Sequence, residues 1–261
     1  MENVTLQMVE NLRILSRKRL EDSQKKNENW QKASLYKCSK CRDTGWILRK
    51  NNNGLEVAAS CECREREKLK LQWKAAGINI EKCKQTFSSF QEWNESAKEA
   101  KSIAITYAND FVEVLGNRQN SILLCGQVGS GKSHLSIALA INLINSNYKV
   151  MYMPYRDVVT KIKQNIMKDD AYTKIIHVYQ KCDVLVIDDL YKGKISEADI
   201  NIIFEIINYR YLNYLPMIIS TEFNISKLLS YDEAIGSRIY EMCKDYIIEI
   251  QSGSDKNYRL R

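Results

Sequence analysis

The chain has 261 residues, 44% apolar and 27% charged, with 39 Lys+Arg against 32 Asp+Glu and a formal net charge of +7. That length suits one medium domain with a smaller companion. The 10 Gly and 2 Pro exclude a collagen-like chain or a long low-complexity linker, and no apolar run approaches the ~20 residues needed to cross a bilayer.

The charge is unevenly placed. Residues 1–75 hold 17 Lys+Arg and 10 Asp+Glu, a net +7, whereas residues 76–261 hold 22 of each. An anionic partner would meet the N-terminal part first, although a solvated Lys-rich helix explains the same excess. Leu6, Val9, Leu12 and Leu15 form a broad apolar stripe on a helix, suited to packing within a small domain or to docking on a partner. The opening Met1-Glu2-Asn3-Val4 carries no export signal, so a cytoplasmic location without membrane contact is expected.

Cys38-Ser39-Lys40-Cys41 and Cys61-Glu62-Cys63 are separated by 19 residues. Two close thiol pairs can share one ion, and Zn2+ held by Cys38, Cys41, Cys61 and Cys63 would complete a tetrahedral site with Zn–S near ~2.3 Å. Trp46 to Leu48, Asn51 to Gly54 and Leu55 to Val57 read as strand, turn and strand, a hairpin that joins the pairs as in a zinc ribbon. Four buried free thiols or an iron–sulfur cluster are the other readings. Four thiolates and one Zn2+ add −2, which reduces the excess of this segment to +5.

A helix is expected over Ala97 to Leu115. Ser121 to Cys125 then reads as a buried strand, followed by Gly126-Gln127-Val128-Gly129-Ser130-Gly131-Lys132-Ser133 and a buried helix from His134. This is a P-loop in strand, loop, helix context. Residues Gly126 to His134 are expected to wrap the phosphates of a nucleotide, with Lys132 on the β- and γ-phosphates and Ser133 on Mg2+. A strand at Lys149 to Met153 and another at Asp183 to Ile187 follow, the latter ending in Asp188-Asp189. Asp188 is expected at the Mg2+ and Asp189 beside the attacking water. A further strand at Pro216 to Ser220 makes an α/β fold with a parallel sheet flanked by helices. Arg156, Lys161 and Lys163, and the basic loop Tyr191, Lys192 and Lys194 with an aromatic that could stack on a base, are candidate DNA contacts; solvated helix faces explain them equally well.

Taken with Ala234-Ile235-Gly236-Ser237-Arg238-Ile239-Tyr240 and the final Asn257-Tyr258-Arg259, this order of motifs resembles the DnaC/DnaI-type replicative helicase loaders of phage or prophage type. These are AAA+ ATPases related to the IstB transposition ATPases. The resemblance covers about residues 85–261, and the four-cysteine module is similar to the helicase-docking domain of the DnaI type. It implies ATP as ligand, a replicative hexameric helicase and single-stranded DNA as partners, and self-association through the AAA+ domain. It also implies an arginine finger at Arg238 and a sensor 2 arginine at Arg259. The chain departs from relatives at Ser220-Thr221-Glu222-Phe223, where Thr221 would replace their Asn, and at Asp189, which replaces Glu. It departs again in the 37 residues after Asn224, too few for a full helical lid.

The domains expected are therefore 1–75 as a helical and zinc-binding module, 76–96 as a linker and 97–261 as the AAA+ domain. The expected function is a weak ATPase, stimulated by its partner or by DNA, that delivers the helicase onto single-stranded DNA. The alternatives are an IstB-like transposition ATPase, or a zinc-containing nucleic-acid-binding module whose nucleotide site is structural.

Overall fold

The computed structural model describes residues 36–52, 54–251 and 253–260; the stripe at Leu6 to Leu15 lies outside them. The chain divides into two compact units, Met1–Leu69 and Lys70–Arg261.

In the first unit, β1 (Trp46–Lys50) pairs antiparallel with β2 (Glu56–Ser60), in a register running from Trp46 opposite Ser60 to Lys50 opposite Glu56. The turn closes through the Asn51 side chain, whose Oδ1 accepts the Leu55 N–H at 2.9 Å. Neither strand has a buried residue. Two features fix the loop before β1. Asp43, at φ +66, accepts the N–H groups of Cys38 (2.8 Å) and Lys37 (3.1 Å), and the Arg64 guanidinium lies 4.6 Å from the Trp46 ring centre. Helix α1 (Glu62–Ala75) begins in this unit and ends in the second.

The second unit is built on five strands: β3 (Ile122–Gly126), β4 (Val150–Pro154), β5 (Val184–Leu190), β6 (Met217–Thr221) and β7 (Ile247–Ile250). Their order is β4-β5-β6-β3-β7 and every pairing is parallel. Ile122 to Cys125, Val184 to Ile187 and Met217 to Ile219 are buried throughout, as strands covered on both faces must be. The helices alternate with them: α2 (Glu95–Val114), α3 (Lys132–Asn145), α4 (Tyr155–Lys163), α5 (Asp169–Lys181), α6 (Glu197–Leu212), α7 (Ile225–Tyr231) and α8 (Glu233–Cys243). This is the α/β class expected.

Strand order reverses at β3, since the chain leaves it for β4, three strands away beyond β6 and β5, and later returns to its other side as β7. A crevice opens outside the carboxyl ends of strands at such a point. Residues 76–96, expected as a linker, belong to the second unit, and Phe90 within them is buried. The Trp73 indole donates to the Val150 carbonyl at 2.8 Å, pinning the end of α1 to β4.

Candidate nucleotide site and metal centre

At the carboxyl end of β3 the chain turns through Gln127 to Gly131 into α3, so the unpaired N–H groups of the first helical turn converge at the sheet edge. Two glycines make the turn possible. At Gly126 (φ +146) a Cβ would come within 2.5 Å of the Ile250 carbonyl oxygen, and at Gly131 (φ +89) within 2.8 Å of the Phe90 ring.

Lys132 is buried, and its Nζ donates to the carbonyls of Gly126 and Gln127 at 2.7 Å each. Burial lowers its pKa below the usual lysine value, with the carboxylates of Asp189 and Glu222 pulling the other way. The neighbouring Ser133 Oγ donates to Asp188 Oδ1 at 2.9 Å, and Tyr152 donates its hydroxyl to Asp188 Oδ2 at 2.6 Å. Burial and the Asp188 charge push the Tyr152 phenol far up, which keeps it a donor.

The β5–β6 ladder is irregular between Ile187 and Leu190, where the two acids sit. Asp189 has φ +58, and its N–H donates to Ser220 Oγ at 2.9 Å; the same hydroxyl donates to Asp188 Oδ1. The Asp189 carboxylate points the other way and accepts from Lys192 Nζ at 2.7 Å, with Glu222 Oε1 3.6 Å from that ammonium. A cleft of about 370 Å³ over the P-loop is lined by Asp189, Lys192 and Glu222 and by Phe90, Trp93, Tyr258 and Arg259. The C-terminal segment is strapped down by Gln127, whose amide exchanges two hydrogen bonds with Gly253 (2.8 and 2.9 Å), and by Tyr258 N–H donating to Gly129 O at 3.0 Å.

The structure brings Val128 to His134, Asp189 and Arg259 into one cleft, with Asp188 behind Ser133. His134 Nε2 is 2.9 Å from the Thr86 carbonyl, and Val128 is exposed. Thr221 is not brought in. Its hydroxyl donates to the Leu190 carbonyl at 2.8 Å and accepts from Phe223 N–H at 3.1 Å, fully buried. Adjacent strand residues point to opposite faces, so it is Ser220 that meets the two acids.

Arg238 lies on α8 outside the cleft, donating to Asn208 Oδ1 at 3.0 Å and Ala234 O at 2.7 Å. Tyr191, expected as a base-stacking residue, is instead buried, 5.2 Å from the Tyr231 ring and 5.9 Å from Tyr155. Ser220, Tyr152, Glu222 and the Phe90–Trp93 pair were not expected here. The one signal for them was a lone hydroxyl in the apolar run Met217 to Ile219 and Ser220.

In the first unit the four sulfurs of Cys38, Cys41, Cys61 and Cys63 lie within 4.8 Å of one another. Cys38–Cys61 and Cys41–Cys63 are 3.8 and 3.3 Å apart. Arms of ~2.3 Å to a central ion place tetrahedral sulfurs ~3.8 Å apart, so the cluster fits Zn2+. Burial raises the Cys41 thiol, but hydrogen bonds from Cys63 and from Gly45 N–H outweigh it and bring it down to about 6.

A P-loop at the switch point of a parallel sheet, with paired acids at the end of β5, one strand beyond the neighbouring β6, defines a nucleotide-binding α/β protein of the AAA+ class. The chain belongs to the IstB-like ATP binding protein family, whose pattern matches residues 48–244. It is 36% identical over 237 residues to the phage-like element PBSX protein XkdC of Bacillus subtilis, covering 87% of this chain and 88% of that one. The DnaC helicase loader superposes with TM-score 0.54 at 25% identity, covering 63% of this chain and 96% of that chain. DnaI, at 21% identity, shares the fold with TM-score 0.53 over 66% of this chain and 89% of its own. Among the described residues no helix is long and apolar enough to cross a membrane.

Proposed function

We propose that the protein is an ATP-dependent loader that delivers a replicative hexameric helicase onto single-stranded DNA in the cytoplasm, at the initiation of replication. The observation that carries its ATPase part is the cluster of Lys132, Ser133, Asp188 and Asp189 at one end of the P-loop cleft. Lys132 exchanges its two loop carbonyls for β- and γ-phosphate oxygens, and the loop N–H groups from Gly129 to Ser133 hold the rest of the triphosphate. Ser133 Oγ and Asp188 Oδ1 offer the hard oxygens that suit Mg2+, which would neutralise phosphate charge there. Ser220 and Tyr152 hold the Asp188 carboxylate in place, and Ser220 also turns the Asp189 carboxylate toward the cleft, where it orients the attacking water. Arg259, in the cleft, binds the triphosphate of its own subunit, and Arg238, outside it, reaches the site of a neighbouring one. Hydrolysis is slow in the isolated chain and rises when helicase or DNA assembles the subunits.

The loader part is supported by likeness to the DnaC helicase loader and by the four-thiol unit, which suits docking on the helicase. Mixing the protein with the hexameric helicase of its host tests it. An ATP-dependent complex should appear by size-exclusion chromatography with light scattering and should be lost in Lys132→Ala; no complex with or without ATP overturns the loader reading. The family pattern favours one competitor, an IstB-like transposition ATPase. Preference for duplex over single-stranded DNA in the same preparation would select it.

A further inference from the structure

Lys192 is a cation of the cleft that the P-loop motif does not account for. It follows β5 on a turn fixed by Tyr191, which has φ +62 and is buried, and by Lys192 N–H donating to Asp189 O at 3.1 Å. The side chain lines the P-loop cleft, where Nζ lies 2.7 Å from Asp189 Oδ2 and 3.6 Å from Glu222 Oε1. The second distance is an ion pair beyond hydrogen-bond reach, so the ammonium, with three donors, is not saturated. Its side chain is 45% exposed and rests on a flexible stem.

Charge explains what it could do there. Asp189 and Glu222 line the cleft and Asp188 sits behind Ser133, so a bound triphosphate would meet like charge there, which repels it. Lys132, bonded to the loop carbonyls, and Arg259 are the other cations that line the cleft. Lys192 alone of these three cations touches Asp189.

Resting on the ATPase reading of this cleft, we propose that Lys192 senses the γ-phosphate. The terminal phosphate of ATP competes with Asp189 and Glu222 for its ammonium, so that a third phosphate both gains a cation and frees the Asp189 carboxylate. ADP leaves the Lys192–Asp189 pair in place. Lys192 thereby reports which nucleotide is bound at the residue placed to position water.

Calorimetric titration of the full chain with ADP and with the non-hydrolysable AMPPNP, both with Mg2+, tests this. Lys192→Met should weaken AMPPNP about tenfold or more and ADP less than threefold, while Lys192→Arg keeps most of the discrimination. Asp189→Asn, which releases the lysine, should tighten AMPPNP relative to ADP. Equal weakening of both nucleotides by Lys192→Met would mean that it acts only by holding the loop, and an unchanged ratio with lost affinity for single-stranded DNA would make it a DNA contact. Either result overturns the inference and leaves the ATPase reading standing. A native chain that binds neither nucleotide removes both.

Discussion

The described part of the first unit buries Cys41, Cys61 and Leu69, whereas the second buries whole strands and still accommodates a fully buried arginine. In the first, both hairpin strands leave every residue at least partly exposed, and the fixed points are turns: Asp43 over the first thiol pair, Asn51 at the hairpin tip. In the second, apolar burial surrounds polar groups held in hydrogen-bonded clusters, as at Asp188. The difference teaches where each unit's geometry comes from. A small segment cannot bury enough apolar surface to offset its chain entropy and relies on covalent or metal cross-links; a large one holds its shape by burial and places its polar groups within that frame.

Removing the metal is the strongest way to break this comparison. Structural zinc contributes about 10 kcal/mol or more to the folding of small thiol modules. A chelator, or Cys63→Ser, is expected to abolish hydrogen-exchange protection across residues 46–60 and to leave β3, β5 and β6 protected. Native mass spectrometry should find one zinc per chain before treatment and none after. A hairpin that stays protected without metal would show that the first unit has a core of its own.

Arg210 tests the second half. Its guanidinium is fully buried and donates to the carbonyls of Tyr179, Gln180 and Cys182 (3.0, 3.1 and 2.9 Å) and to those of Asp183 and Pro216 (3.3 and 2.7 Å). One planar fork thus gathers the end of α5 with the starts of β5 and β6, which a single ammonium could not span. Arg210→Ala orphans these carbonyls and should cost about 3–5 kcal/mol, read as a lowered urea midpoint for the second unit. Zinc stoichiometry should not change. A loss below about 1 kcal/mol would mean that water replaces the fork, and that this unit is less dependent on matched polar groups than its burial suggests.

What the residues disclosed before the structure follows the same division. The P-loop and the acid pair were legible because each is local: strand, loop and helix are contiguous, the loop's chemistry is written within the eight residues Gly126 to Ser133, and the acids directly end an apolar strand. The thiol cluster was legible for a similar reason, since a hairpin of ordinary length joins its two halves. Thr221 was misplaced because a strand's facing depends on register, set by a bulge in the neighbouring strand at Ile187 to Leu190. Tyr191 read as an exposed aromatic in a basic loop, yet its positive φ turns it into the cluster of Tyr155, Phe223 and Tyr231. Phe90 and Trp93 reach the cleft only through the tertiary path of residues 76–96, for which no local pattern exists.

The smallest effect separates charge pairs by their surroundings. Lys40–Glu62 in the first unit, at 2.6 Å, leaves both side chains more than half exposed, so Glu62→Gln should leave stability and zinc content unchanged. Lys163–Asp199 in the second unit, also at 2.6 Å, has Asp199 only 3% exposed and caps α6 through a reciprocal pair with Ser196. Burial pushes the Asp199 carboxyl up, but Lys163 and the Ser196 N–H outweigh it and hold it below the usual carboxylate range. A pKa lower in the folded than in the unfolded chain stabilises above the unfolded value, about 3.9, and the contribution is lost as pH falls through the folded value. Asp199→Asn should therefore cost about 1 kcal/mol at pH 7, and the gap from the native protein should close in urea titrations as the pH is lowered through and below 4. A gap that persists undiminished in acid would show that the ionised carboxylate contributes none of the effect, and would remove the ion pair from the account of the second unit.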